Sequence, residues 1–154
     1  MILEGGINIK RQFLKIAVIW IIVLCLTGCS GQPKEKSPYI DLPVLQGVEL
    51  YMDQTVYPRD VEEITFFLKN NTGQEFLYGA DWRLEMLYKE EWYCVDARMS
   101  YSVPSIAYIS KPDAVHEITN NFFVYKKPLK EGTYRFVQFE HETETIFFIE
   151  FKIQ

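Results

Sequence analysis

The side chains that could support metal chemistry are few and poorly spaced. Neither His116 nor His141 has another histidine or a cysteine at the spacing of metal ligands. Carboxylate oxygens could hold a calcium ion where four acidic residues fall near one predicted turn, namely Asp53, Asp60, Glu62 and Glu63. Their spacing is not that of an EF-hand loop, so a solvated charged turn is the preferred interpretation. The sequence therefore predicts no metal site.

Motifs of common enzyme classes are absent from the sequence. No serine lies in a Gly-x-Ser-x-Gly segment, no glycine-rich phosphate loop follows a predicted strand, and no His-Glu-x-x-His segment occurs. We therefore predict no catalytic residue, no cofactor and a protein that is not an enzyme.

The remaining candidate for chemistry is the thiol of Cys29, which follows an apolar run. Lys10, Arg11 and Lys15 precede the uncharged residues 16–26, which is the pattern of a secretory signal. As a helix this run would span about 17 Å, against roughly 30 Å of bilayer hydrocarbon, which argues against a permanent transmembrane helix. A cleaved signal peptide that precedes a cysteine by coincidence is the alternative.

The segment Leu26-Thr27-Gly28-Cys29 resembles the lipobox of bacterial lipoproteins, in which small residues precede an obligatory cysteine. The resemblance implies cleavage between Gly28 and Cys29, after a signal peptide of residues 1–28. It also implies attachment of diacylglycerol, with acyl chains such as palmitate, to the Cys29 sulfur. A thiolate suits such alkylation, and two acyl chains give stable anchoring where one is marginal. The expected location is the outer face of the cell membrane.

Charge and length limit what the exported part can do. Residues 29–154 are enough for one domain with its own core. The full sequence has a formal net charge of −5 at pH 7, and removal of the basic signal peptide makes the remainder more acidic. This charge disfavours nucleic acid as a partner and offers no basic patch for anionic lipid.

The cysteines indicate that packing, not a disulfide, stabilises the domain. Cys25 leaves with the signal peptide and Cys29 is used for lipid, so Cys94 has no intramolecular partner. An inter-sheet disulfide of the immunoglobulin type is thereby excluded. Because Cys94 lies in the apolar segment 92–95, we interpret it as a buried, inert thiol.

Residues 29–45 read as a flexible tether on the lipid anchor. Residues 30–43 are polar and contain Pro33, Pro38 and Pro43, with no sustained periodicity. An extended, polyproline-like chain over residues 30–43 would reach up to about 40 Å.

From residue 46 onward apolar and polar residues alternate, which predicts strands. The clearest series contain Ile64, Phe66 and Leu68 or the alternate residues from Phe147 to Ile153, and residues 82–95 read as a hairpin with Trp82 and Trp92 as core candidates. Strand assignments in residues 100–125 are weak. The pattern predicts an all-β sandwich of seven to eight strands in residues 46–154, after a signal helix and tether, with a small barrel as the alternative.

The segment Leu129-Lys130-Glu131-Gly132-Thr133-Tyr134-Arg135 is similar to the Leu-x-x-Gly-x-Tyr-Arg segment of bacterial immunoglobulin-like domains in exported Gram-positive proteins. The resemblance extends over residues 46–154 and implies an Ig-like β-sandwich. It implies a structural corner in which Leu129 packs, Gly132 permits the turn into a strand, and the Tyr134 hydroxyl bonds to nearby backbone.

Aromatic residues make up 16% of the chain, more than a small core needs. The alternation places four of them opposite the expected core: Tyr51, Phe67, Tyr93 and Phe148. Either residues 100–125 cover that second face, or the four side chains form an exposed patch for a partner.

These observations predict a lipid-anchored surface lipoprotein whose Ig-like domain is a non-catalytic binding or accessory module. Its partners would be the membrane, through diacylglycerol on Cys29, and an unknown protein or the cell wall. The alternative is a lipoprotein that regulates or inhibits a neighbouring membrane or cell-wall enzyme, by strand addition at an exposed sheet edge.

Overall fold

A computed structural model describes residues 35–98 and 105–154. This part of the chain contains no helix, as the alternating pattern predicts, and ten strands. The strands, in chain order, are β1 Val48–Tyr51, β2 Val56–Tyr57, β3 Glu63–Asn70, β4 Phe76–Gly79, β5 Arg83–Tyr88, β6 Glu91–Cys94, β7 Ala107–Ser110, β8 Val115–Asn121, β9 Gly132–Glu140 and β10 Thr145–Ile153.

The strands form two main sheets and a two-stranded ribbon. The five-stranded sheet has the order β2-β10-β9-β5-β6, and the three-stranded sheet has the order β1-β3-β8. Strands β4 and β7 pair only with each other among the described strands. All pairings are antiparallel except that of β2 with β10, which is parallel.

The core lies between the inner faces of the two main sheets. Ile64, Phe66 and Leu68 on β3 are fully buried, and Phe66 stacks on Phe136 of β9 with 5.7 Å between ring centroids. Every second residue of β10 from Phe147 to Ile153 is buried as well. The prediction of an all-β, sandwich-like fold is confirmed, and aromatic packing supplies much of its core.

Strands β5 and β6 form the predicted hairpin. Its two turn residues, Lys89 and Glu90, both have positive φ, at 51° and 65°, as a type I′ turn requires. Trp82, just before β5, is buried in the core and packs edge-on against Phe66 at 4.9 Å. Contrary to the prediction, Trp92 does not reach the core. It lies on the outer face of the five-stranded sheet, beside Arg135.

The strand count exceeds the predicted seven to eight because several strands are short. β2 has two residues, and β4 and β7 have four each. The ribbon also brings residues 107–110 against residues 76–79, a long-range pairing in the region where strand assignment was weak. Residues 100–104 of that region lie outside the described part.

Residues 35–45 are hydrogen-bonded to the five-stranded sheet, which differs from the predicted free tether. The backbone N–H of Ser37 donates to the Trp92 carbonyl at 2.9 Å, and that of Cys94 donates to the Glu35 carbonyl at 2.9 Å. Farther along, the N–H of Leu45 donates to the Ile146 carbonyl at 2.7 Å. The described part of the predicted tether thus protects the edge of β6 and packs on the domain.

The predicted signal peptide, the cleavage position Gly28 and the lipidation position Cys29 lie outside the described residues. Within residues 35–98 and 105–154, no helix has the length and hydropathy that a membrane span needs.

Candidate functional site

The predicted corner residues lie together where β9 begins. The Tyr134 side chain is buried, and its hydroxyl donates to the Lys130 carbonyl at 2.8 Å. Gly132 opens β9 with φ of +156°, a value that residues with side chains rarely adopt. Leu129 is buried next to them. Burial raises the pKa of Tyr134 to about 12, so the hydroxyl keeps its proton and remains a donor at physiological pH.

Tyr51 and Phe67 form a stacked pair on the outer face of the three-stranded sheet. They are direct cross-strand neighbours on β1 and β3, and their ring centroids are 5.2 Å apart. Tyr51 is 41% exposed and Phe67 is half-buried. Because Ile64 and Phe66 on β3 point inward, the alternation places this pair on the solvent side.

Charged side chains flank the pair. Glu117 on β8 is the cross-strand neighbour of Phe67 on the side away from Tyr51. One step along the same face, Lys69 lies between Glu49 and Val115. We define the open aromatic face as this surface, with Tyr51, Phe67, Lys69, Glu117 and Glu49 as its members. An apolar centre with a polar rim is the usual composition of a protein-binding surface.

Phe148 lies on the other main sheet, in a cluster around a buried ion pair. The Arg135 Nε donates to Glu85 Oε2 at 2.8 Å, and both side chains are almost fully buried. The Arg135 guanidinium lies 4.4 Å from the Trp92 ring centroid and 5.0 Å from that of Phe148. The chain before β1 borders this cluster, since Tyr39 and Leu42 line a cleft together with Phe148. Phe148 therefore lies beside the segment that precedes β1.

Tyr93 lies away from both of these positions. It is the cross-strand neighbour of Met86, which packs against the core, so it shares the inner face of its sheet. There it contacts Tyr88 edge-on at 6.0 Å, and its hydroxyl donates to Glu91 at 3.0 Å. The four aromatic residues of the predicted patch thus occupy three separate places, and only Tyr51 and Phe67 are neighbours.

The segment that covers the second face also differs from the predicted one. The outer face of the five-stranded sheet is covered by residues 35–45, not by residues 105–125. Within the latter segment Phe122, Val124 and Tyr125 are buried, whereas Phe123 is exposed.

The β4–β7 ribbon exposes apolar residues outside the predicted aromatic patch. Leu77 and Ile109 are direct cross-strand neighbours, and both are exposed. Tyr78 on the opposite side is buried against Tyr108 and His116. Residues 76–78 are apolar throughout, so no alternation marks Leu77 as exposed, and the partner strand is distant in sequence.

The candidate metal ligands do not assemble. Across the described ranges, no group of three or more His, Cys, Asp or Glu side chains is placed to hold a metal ion. The His116 ring bonds to the Ser110 hydroxyl at 3.1 Å, and the His141 ring packs against Phe139 at 4.8 Å. The acidic residues proposed as a charged turn, Asp53, Asp60, Glu62 and Glu63, are all exposed.

Cys94 is a free, half-buried thiol in the described part of the chain. Burial raises its pKa, and this outweighs the opposing influence of Arg83, whose Nη1 lies 3.6 Å from the sulfur. A raised pKa lowers the thiolate fraction and hence the reactivity of a cysteine.

Comparison with known families places these features in context. Residues 44–147 match the family described as a bacterial Ig-like domain. The chain belongs to this family. The matched range of the bacterial Ig-like domain runs from just before β1 into β10. Domains of this family are typically non-catalytic accessory modules. Among curated proteins and solved structures, none matches the chain.

Proposed function

We propose that this chain is a lipoprotein, held on the outer face of the cell membrane by diacylglycerol on Cys29, whose bacterial Ig-like domain binds a protein or cell-wall partner without turnover. The observation that carries the binding function is the stacked Tyr51–Phe67 pair, which is exposed at the centre of the open aromatic face. An aromatic pair of this kind supplies rigid apolar contact area at low entropic cost.

The anchor is supported by the lipobox-like segment 26–29 and the apolar run before it. Residues 30–34 separate Cys29 from Glu35, which is already hydrogen-bonded to β6. A fully extended chain over that interval spans at most about 20 Å. The domain would therefore stay closer to the lipid surface than a tether through residue 45 would allow.

The anchor is tested with Cys29→Ser in the full chain. We expect the variant to lose membrane association and to escape lipid-dependent processing, as measured by cell fractionation and intact mass. Normal processing and unchanged membrane association of the Ser variant would refute the anchor.

The binding face is tested with Tyr51→Ser in intact cells. After chemical crosslinking, we expect the variant to lose most of its crosslinked partner, or of its retention on isolated cell wall. Val56→Ser on β2 is the matched control, since Val56 is 40% exposed against 41% for Tyr51 and lies in the other sheet. Equal loss in both variants, or no loss in either, would reject the open aromatic face as the binding surface.

The second candidate function is regulation of a neighbouring enzyme by strand addition, and the β4–β7 ribbon favours it. In the described part each ribbon strand has one paired edge, and the ribbon exposes Leu77 and Ile109. An unpaired edge beside exposed apolar residues is suited to β-augmentation. If this function is right, Ile109→Lys abolishes the crosslinked adduct while Tyr51→Ser leaves it intact.

A further inference from the structure

The chain before β1 is fastened to the five-stranded sheet at two separate places. At the first, residues 35–37 run antiparallel to β6, with Lys36 directly opposite Tyr93. At the second, residues 43–45 are bonded to β10. We call residues 35–37 the strap and residues 43–45 the inner fastening. The two places differ in what holds them.

Two backbone hydrogen bonds join the strap to the edge of β6. The N–H of Ser37 donates to the Trp92 carbonyl, and the N–H of Cys94 donates to the Glu35 carbonyl, both at 2.9 Å. Pro38 follows directly and has no N–H to donate, so the ladder cannot continue beyond Ser37. The pairing is therefore limited to a very short stretch of chain.

The side chains of the strap add little to this attachment. Lys36 Nζ lies 2.7 Å from Glu91 Oε1, but the two side chains are 56% and 45% exposed, and an exposed ion pair contributes little stability. The Cys94 thiol makes a long contact of 3.9 Å with the Lys36 carbonyl. Glu35 is exposed, and Ser37 is buried but polar. The strap thus places no apolar side chain in the core.

The chain beyond the strap is held by apolar contacts. The half-buried Tyr39 ring stacks on the Phe139 ring with 5.9 Å between centroids, and the Arg83 guanidinium lies 5.3 Å from the Tyr39 centroid. Leu45 packs against the hydrophobic core, and its N–H donates to the Ile146 carbonyl at 2.7 Å. Burial of apolar surface therefore stabilises the chain from residue 39 onward.

The free energies that bind and release the strap nearly balance. Fixing the backbone of one residue costs about as much as one backbone hydrogen bond contributes net of its bonds to water. Ordering the three residues of the strap therefore offsets its two backbone bonds and its exposed ion pair. No such balance applies to the inner fastening, because Leu45 also buries apolar surface.

We propose that residues 35–37 are a releasable strap, which detaches from β6 while Tyr39 and the inner fastening stay in place and so gives the domain a short and a long tether. The effect on reach rests on the proposed anchor at Cys29. The chain from Cys29 spans at most about 20 Å to Glu35 and at most about 35 Å to Tyr39. Release also uncovers the edge of β6, which the bound strap protects from pairing with another strand.

Amide hydrogen exchange in the full chain in detergent micelles tests the release. The amides of residues 37 and 94 report on the strap, and those of residues 45 and 146 report on the inner fastening, because each donates across one of the two junctions. After correction for intrinsic rates, we expect the strap amides to exchange at least about tenfold faster, at rates that do not change in low urea. Equal rates at all four amides would overturn the proposal.

A disulfide can lock the strap. Lys36 and Tyr93 form a non-hydrogen-bonded cross-strand pair, in which Cα atoms are about 4.5 Å apart, a distance that suits a disulfide. We combine Lys36→Cys and Tyr93→Cys with Cys94→Ser, so that no neighbouring thiol competes. Oxidation is expected to slow exchange at residues 37 and 94 at least about tenfold, and reduction to restore it. Exchange that does not respond to oxidation would refute release.

Removing the ion pair should shift the balance towards release. We expect Lys36→Gln to raise exchange at residues 37 and 94 about threefold. Lys111→Gln is the matched control, since it removes the same charge from an exposed side chain in the turn before β8, and it should leave both amides within about twofold of the parent. Equal exchange in the two variants would overturn the contacts on which the proposal rests.

Energy transfer tests the change in reach. A donor dye replaces the exposed Val56 on β2 of the lockable chain, and acceptor lipids lie in vesicles of equal parts phosphatidylcholine and phosphatidylglycerol. We expect reduction of the disulfide to lower the transfer. Unchanged transfer in a chain whose exchange does respond to reduction would refute the two tether lengths. The anchor is decided separately by the fractionation of Cys29→Ser, so its failure and that of the strap are distinguishable.

Discussion

Removing one partner of the buried Glu85–Arg135 ion pair should lower the free energy of unfolding far more than replacing both partners with apolar side chains. The two side chains are 0% and 5% exposed, and Arg135 Nη2 lies 2.7 Å from Glu85 Oε2. Glu85→Gln keeps the shape but leaves the Arg135 charge buried without its counterion. Removing one partner of such a pair typically costs about 3–5 kcal/mol. With a urea m-value of about 1.5 kcal/mol/M, the unfolding midpoint should fall by about 2–3 M.

The double variant Glu85→Leu/Arg135→Met separates the charge effect from simple loss of packing. Because it buries no charge, we expect it to be more stable than either single variant, and close to the parent protein. The measurement is urea unfolding followed by tryptophan fluorescence, with Trp92 as a local reporter 4.4 Å from the guanidinium. Glu91→Gln in the exposed pair with Lys36 is the control and should leave the midpoint nearly unchanged.

Two results would refute this reasoning. One is a Glu85→Gln variant as stable as the Glu91→Gln control. The other is a double variant whose loss equals the sum of the single losses, since that would show no coupling between the two side chains.

Three smaller predictions concern the corner and the hairpin. Tyr134→Phe should lower the free energy of unfolding by about 1 kcal/mol, because the bond from its hydroxyl to the Lys130 carbonyl is lost; urea unfolding that is unchanged within error would contradict it. The unfolded chain releases the tyrosine proton near pH 10, whereas the pKa of Tyr134 in the folded protein is about 12. The stability of the parent protein therefore falls as pH rises between these values. The difference in free energy of unfolding between the parent and Tyr134→Phe should accordingly be smaller at pH 11.5 than at pH 9. Glu90→Gly should raise stability by about 0.5–1 kcal/mol, because Glu90 has φ of 65° in the hairpin turn; a lower unfolding midpoint for this variant would contradict the turn assignment.

The sequence predicts the inner faces of the long strands well. β3 and β10 are each buried on one face, so alternation alone identifies residues such as Phe66 and Phe151 as core. The outward facing of Tyr51 and of Phe67 also follows from alternation on β1 and β3, whereas their direct pairing is set by the register of the two strands.

Features that depend on the register of a hairpin or on pairing between distant segments could not be predicted. The facing of Tyr93 is set by its register with Met86 across the hairpin. The cover over Phe148 comes from residues 35–45, whose prolines and mixed composition do not reveal that their backbone groups bond to β6 and β10.

The central claim is that an anchored Ig-like domain meets its partner through the open aromatic face. It is tested most directly by a photo-crosslinking residue in place of Glu117, the exposed neighbour of Phe67, in the full chain in intact cells. The account predicts a defined adduct from position 117, no adduct from the same residue at position 56, and loss of the adduct when Cys29→Ser is added. Equal labelling from both positions, or an adduct that survives Cys29→Ser, would contradict it.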